Sequence, residues 1–307
     1  MLGSILGLLS AAAFGVNSIF TRRGVLIASS SYIANLSIFT GPPFFLLTAI
    51  VIGDLFEIGK FSLRAYGFLA LSGIVHFALG RTWGYRCVQL IGATRSNIMT
   101  NLNPIVTISL AMIVLRETTK PLMVLGALLS LSGPLIIILK EHAKAGGVQS
   151  KLNPPKHELD RRTLYKGVFY GVGAAIFWGS SSILIKLGLE NGGSPIVGSL
   201  IAYLTASIII SPSSLIKKEK RKEMFKRDKK SLQLALLAGL TTNIAQLFRY
   251  LALAYGSAIV VSLMGRTSTL WTLVLSFIFN REYESFSRWV FLGNATLMAG
   301  TILVLIS

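Results

Sequence analysis

Acidic residues and cysteine are what this chain of 307 residues has least of: 12 Asp and Glu stand against 30 Lys and Arg, and there is a single Cys. One cysteine excludes an intramolecular disulfide, and Cys87 lies in an apolar run, so it says nothing of the redox compartment. Charged residues of all kinds make up only 14% of the chain, against about 25% in a soluble domain. With 52% hydrophobic residues and a mean hydropathy of +0.66, such a chain cannot cover a water-facing surface. No G-x-x-x-x-G-K-[ST] sequence is present, which excludes ATP hydrolysis of the P-loop kind. No cofactor or metal site is expected.

What is there instead is a series of apolar runs long enough to cross a bilayer, for which about 17 to 25 residues are needed. Reading them between charges and Gly, Pro or Asn breaks predicts ten helices. They cover about 2 to 21, 32 to 52, 65 to 87, 91 to 115, 121 to 139, 166 to 187, 195 to 212, 232 to 254, 257 to 279 and 288 to 306. The fold class expected is all-α integral membrane. The first run is not a cleaved leader, because it lacks a basic n-region and its sequence recurs later in the chain.

That recurrence is an internal repeat. GLLSAAAFGVNSIFTRRGV, Gly7 to Val25, lies without gaps on GVGAAIFWGSSSILIKLGL, Gly171 to Leu189, and pairs Gly15 with Gly179 and Ser18 with Ser182. The register continues through Tyr85 with Tyr250, Ala93 with Ala258 and Arg116-Glu117 with Arg281-Glu282. Two units of five spans follow, residues 1–139 and 166–307, joined by a basic linker at 140–165. An odd number of spans per unit makes the second copy enter the membrane from the opposite face, the inverted repeat on which many carriers alternate access.

The net charge of +18 resides mostly in Lys140 to Lys166 and in KKEKRKEMFKRDKK, Lys217 to Lys230. Both clusters lie between apolar spans and carry almost no interleaved aromatics, so the positive-inside rule explains them and no nucleic-acid partner is expected. The same rule places these loops in the cytoplasm and both termini outside, in a multi-pass protein of the cell membrane whose partners are the lipid bilayer and a small-molecule substrate. The sequence does not indicate an oligomeric state.

In its arrangement the chain resembles the drug/metabolite transporter superfamily, specifically the EamA type with ten helices in two repeats. The residues that carry the likeness are Gly92 to Thr94, Asn101 to Pro104 (NLNP), Leu115-Arg116-Glu117 and Leu125 to Gly133. Echoes follow at Ser257-Ala258, Asn280-Arg281-Glu282 and Leu292 to Gly300. The resemblance implies transport of small metabolites such as amino acids through a cavity between the third, fourth, eighth and ninth helices, with parts of the first and sixth. It also implies cytoplasmic termini, against the charge count, and the charge count is kept here.

An ionisable side chain in mid-span costs roughly 2.5 to 3.5 kcal/mol on insertion scales and so marks a functional candidate. Arg266 is the foremost: about nine residues into its span, it lies roughly 14 Å deep in a core about 30 Å thick. Ser262 and Thr269 share its face, and the repeat pairs these three positions with Asn97, Asn101 and Pro104. The eighth span adds Asn243, Gln246, Arg249 and Tyr250, and the third adds His76, Arg81 and Tyr85. Phe14 and Trp178, paired by the repeat, are candidate aromatic walls or else core packing. The amides and tyrosines suit helix cross-linking as well as a cavity wall. Arg81, Arg86 and Arg249 suit snorkelling toward an interface, and His76 alone reads as a hydrogen-bonded packing residue.

No apolar span contains Asp or Glu. A cavity lined by Arg266, amides and hydroxyls should therefore take an anionic or carboxylate solute. Two other classes stay open: an integral-membrane enzyme acting on lipids, although the spans hold neither clustered Asp nor paired His, and a receptor or scaffold using its basic loops.

Overall fold

The computed structural model describes residues 1–84, 86, 87, 90, 99, 102–142, 161–190, 192–216, 229–279 and 288–306. Among the described residues every regular element is helical. The elements are α1 (Leu2–Ile27), α2 (Ser30–Phe39), α3 (Gly41–Ile52), α4 (Leu63–Gly73), α5 (Asn103–Val114), α6 (Pro121–His142), α7 (Arg161–Leu189), α8 (Pro195–Ile216), α9 (Lys229–Tyr255), α10 (Ala258–Gly265), α11 (Ser268–Phe279) and α12 (Arg288–Ile306). A π-helical turn, Ile74–Arg81, continues α4.

Six stretches among the described residues are long and apolar enough to cross a membrane: Leu2–Thr21, Ser31–Ile52, Leu63–Gly84, Tyr165–Leu189, Lys229–Tyr255 and Ala258–Phe279. Asn103–Val114 and Pro195–Ser211 are shorter apolar helices. Their outer faces carry large aliphatics such as Leu47, Ile113 and Ile208, which are 63%, 75% and 69% exposed. That surface would be costly in water, and lipid tails accept it without cost. The chain is a multi-pass membrane protein.

Helices run past the apolar runs at several ends. α1 reaches Ile27, so Arg22 and Arg23 lie on its last turns, and α7 begins at Arg161. Long basic side chains reach the interface from a helix as readily as from a loop, so charge alone does not end a span. The second predicted run bends where Thr40 joins α2 to α3 ahead of Pro42 and Pro43, whose missing N–H groups weaken the ladder. Serines start the elements that follow extended backbone: Ser29 caps α2, Ser62 caps α4 and Ser194 caps α8.

Contacts between distant parts of the chain sort the loops by end of the bundle. At one end Ser194 donates to Asp54 at 2.6 Å, Ser257 donates to Glu117 at 2.6 Å, and Gly3 abuts Gly256. At the other, the Arg23 guanidinium donates to the Phe279 carbonyl. The first set follows the second, fourth, sixth and eighth predicted spans and includes the N-terminus.

Close crossings set the interior. A Cβ built on Gly73 would sit 2.1 Å from the carbonyl oxygen of Ala202, so α4 meets α8 backbone to backbone. Beside this crossing Phe77, Tyr203 and Phe45 stack, with Tyr203 ring centroids 4.2 Å from Phe77 and 5.2 Å from Phe45, all fully buried. This aromatic column anchors the π turn. Gly73→Ala is expected to destabilise the detergent-purified protein by about 1–3 kcal/mol through overpacking. Gly67→Ala, where a Cβ meets nothing within 4 Å, is expected to be neutral or stabilising by up to about 1 kcal/mol. Thermal unfolding of both variants checks the contrast.

Candidate functional site

The π turn is where the third span turns polar. A π segment widens the helix by one residue and is common at functional sites. Here it presents His76 and Arg81 to neighbouring helices. The His76 imidazole Nδ1 lies 2.8 Å from Ser181 Oγ on α7, and its Nε2 lies 3.1 Å from the Gln246 amide nitrogen on α9.

The surrounding bonds decide the tautomer. Arg249 donates to Gln246 Oε1 at 3.3 Å, which turns the Gln246 amide nitrogen toward His76. That amide donates, so His76 Nε2 accepts and the ring proton sits on Nδ1, donated to Ser181. Ser181 sends its own hydrogen to the Trp178 carbonyl at 2.8 Å. It accepts a second bond from Arg249 at 3.1 Å, and Ser182 accepts another at 2.8 Å. The imidazole is therefore neutral here, and the positive charge of the cluster belongs to arginine.

Trp178 closes one side. Its indole N–H donates to the His76 carbonyl at 3.1 Å. The ring lies flat on Gly80 and Gly84, where any Cβ would come within 2.6 and 2.8 Å of it. Arg81 donates to Ser37 Oγ at 2.6 Å and lies 5.3 Å over the Phe77 ring. Arg81 and Arg249 each lie near enough to His76 to act on it electrostatically, and Arg249 acts likewise on Arg266.

Arg266 stands at a break. α10 ends at Gly265 and α11 begins at Ser268. Between them Arg266 and Thr267 donate to the Leu263 and Met264 carbonyls, each at 3.0 Å, in tight three-residue turns. A Cβ on Gly265, beside Ser262 and Arg266 on one stripe, would meet nothing within 4 Å.

The fourth span breaks in the same way ahead of α5. Leu102 donates to Met99, Ile105 to Leu102 and Val106 to Leu102, at 3.2, 3.1 and 3.4 Å. At the paired positions Thr267 donates to Met264, Leu270 to Thr267 and Trp271 to Thr267, at 3.0, 2.9 and 3.3 Å. Broken helices of this kind at mid-membrane depth are tolerated only where the backbone is covered by protein or lines a cavity.

The candidates named from sequence divide accordingly. His76, Arg81, Gln246 and Trp178 come together around Arg249, and Arg266 borders the same region. Tyr250 is fully buried and bonds Ser72 at 3.3 Å, and Asn243 bonds Thr40 at 3.2 Å; both tie helices together away from the imidazole. Ser262 and Phe14 are half-buried and join none of these bonds. Tyr85, Asn97 and Asn101 lie outside the described residues. Arg249 is where the sequence reading needs correction: it turns inward to three polar side chains, Gln246, Ser181 and Ser182, and does not snorkel. Ser181, Ser182 and Ser37 were missed as site groups, although Ser182 belongs to the repeat.

A second polar knot closes the end of the bundle that holds the N-terminus. Arg116, with φ of +53°, turns the chain at the end of α5 and aims Glu117 at the start of α10. The carboxylate accepts from Ser257 Oγ at 2.6 Å and from the Ala258 and Ile259 amides at 2.8 and 3.2 Å. Lys186 of α7 pairs with it at 3.5 Å and also donates to the Gly256 carbonyl. A carboxylate on exposed N–H groups at a helix start is favourable twice over, through hydrogen bonds and through the dipole.

Residues 1–139 and 165–306 each match the model of the EamA-like transporter family. The chain belongs to that family. EamA-like proteins are membrane transporters, so the coarse function is transport of small solutes across a membrane. One solved structure, titled only as the crystal structure of a protein, has the same fold as this EamA-like chain. The TM-score is 0.77 at 12% identity, over 99% of this chain and 96% of that one. No curated protein sequence matches.

The cluster makes a stability contrast. Ser181→Ala removes the acceptor that His76 and Arg249 share, and is expected to cost about 1–3 kcal/mol. Ser207→Ala deletes a buried hydroxyl that has no partner and is expected to be neutral. Thermal unfolding in detergent measures both.

Proposed function

We propose that the protein carries small organic anions, amino acids or other carboxylates, by alternating access around a cavity bordered by Arg249 and Arg266. Ten spans arranged as two inverted five-helix repeats form the carrier. The observation that carries this reading is the set of guanidiniums inside the bundle, in a chain whose apolar spans contain no Asp or Glu. A guanidinium fork in a low-dielectric site binds a carboxylate by paired, charge-assisted hydrogen bonds.

The matching breaks in the fourth and ninth spans support the repeat, since the same three backbone bonds occur at paired positions. They also offer two half-helix starts near one depth, and helix starts favour anionic groups. The Glu117 knot acts as the lock of one gate in this state. Opening that end has to part Glu117 from Ser257 and Lys186.

Flux into proteoliposomes tests the function. Arg266→Ala is expected to abolish uptake of an anionic solute that the wild type carries, with the variant still inserted and folded; wild-type uptake by that variant would remove Arg266 from the site. The basic loops are assigned to the cytoplasm and the termini to the outside. A reporter fused after Ser307 is expected to face outward, and a cytoplasmic signal would reverse the assigned orientation.

A further inference from the structure

We infer that the cavity beside the Glu117 knot is a second solute site, separate from the arginine cluster, and that it takes a zwitterionic α-amino acid with an aliphatic side chain. The cavity measures about 440 Å³ and lies between the ends of α5, α7 and α9, at the end of the bundle that holds the N-terminus. Leu115, Leu189 and Leu253 give it apolar walls, and Glu117, Lys186 and Glu190 bring charge to it. No arginine lines it. A volume of this order suits one small organic molecule.

The charged groups differ in what they have left to offer. Glu117 is saturated: Oε1 accepts from the Ala258 amide and faces Lys186, while Oε2 accepts from Ser257 and from the Ile259 amide. Lys186 gives one N–H to the Gly256 carbonyl, and its 3.5 Å approach to Glu117 is longer than a charge-assisted hydrogen bond. An ammonium has three N–H groups, so Lys186 keeps donor capacity for a ligand. Glu190 is exposed and forms no hydrogen bond or ion pair with a described residue. It also stands directly after the last residue of α7, where the helix dipole favours a cation over a carboxylate. An ammonium placed there answers both the carboxylate and the helix end.

Lys186 and Glu190 share one face of α7, with about 5–6 Å between Cβ atoms at this spacing. Lysine ahead of glutamate is the weaker order for a direct pair, and Lys186 is turned to Gly256 and Glu117 instead. A simple amine at Glu190 would meet the charge of Lys186, and a simple carboxylate at Lys186 would meet those of Glu117 and Glu190. A molecule with both charges on one carbon sets each against its opposite and leaves an aliphatic side chain for the leucine walls. The site stands whether or not the chain is a carrier; in a carrier it gathers solute beside the Glu117 lock.

A local readout in full-length, detergent-purified protein tests this. Ala254 lines the cavity and Cys87 is fully buried, so Ala254→Cys is expected to supply the thiol that N-ethylmaleimide alkylates. No alkylation would contradict an open cavity and overturn the site. Leucine is expected to slow the reaction saturably. Isocaproate and isoamylamine, which keep the side chain and lose one charged end each, are expected to need at least about fivefold higher concentration for the same protection. Equal protection by either analogue would overturn the zwitterion assignment. Glu190→Gln added to Ala254→Cys is expected to abolish protection by leucine while the thiol still reacts, and unchanged protection would overturn the site. Protection by leucine without leucine flux into proteoliposomes would support this site and count against the carrier reading for that solute.

Discussion

A guanidinium buried in a membrane protein must be solvated by the protein itself, and the interior of this bundle is organised around that requirement at Arg249. Water is scarce at such depth, and no carboxylate is within reach in sequence. The groups that turn toward it are Ser181 and Ser182 of α7 and Gln246 one turn earlier on its own helix. Ser181 and Gln246 are then fixed by further bonds. Ser181 is held by Trp178 and His76, Gln246 by His76, and His76 by the π turn that brings it across. Taking out one member leaves others with unmet donors, which is why the cluster behaves as a unit.

The helices bend to meet this demand, and the bends occur where the backbone can be covered. The π turn gives up regular pitch to present His76 and Arg81, and the His76 carbonyl accepts from the Trp178 indole. Gly80 and Gly84 leave room for that ring. Two other helices break outright near Leu102 and Thr267 and repeat the same turn geometry. A straight bundle of apolar helices would be easier to build and would have no interior space for a solute. The departures from regular helix fall together at the polar cluster, as expected where local rules yield to function.

Much of this could be read in the sequence, for reasons particular to each residue. Arg266 was conspicuous because mid-span charge is rare; the fourth-span break was not read, although Pro104 beside it lacks an N–H. The ninth-span break at Gly265-Arg266-Thr267 has no proline and was invisible. Arg249 was read as snorkelling because it stands two turns from a span end; which way a long side chain turns depends on acceptors contributed by another helix. Ser181 and Ser182 resemble ordinary serines in an apolar helix until His76 and Arg249 are placed against them. Asn243 and Tyr250 share a helix with Gln246 yet serve packing, because their facing neighbours are Thr40 and Ser72.

The Glu117 knot and the arginine cluster use one principle at two depths. At the bundle end a carboxylate is available, and it satisfies a helix start and a lysine in a closed arrangement. The predicted spans hold no carboxylate, and Arg249 is solvated by the dipoles of Ser181, Ser182 and Gln246. The central claim is that these guanidiniums receive the solute. Calorimetric titration of the detergent-purified protein with a panel of small carboxylates tests it most directly, with the wild type compared against folded Arg249→Gln. The account predicts saturable binding by the wild type that is lost in the variant, and equal affinity in the two proteins would contradict it.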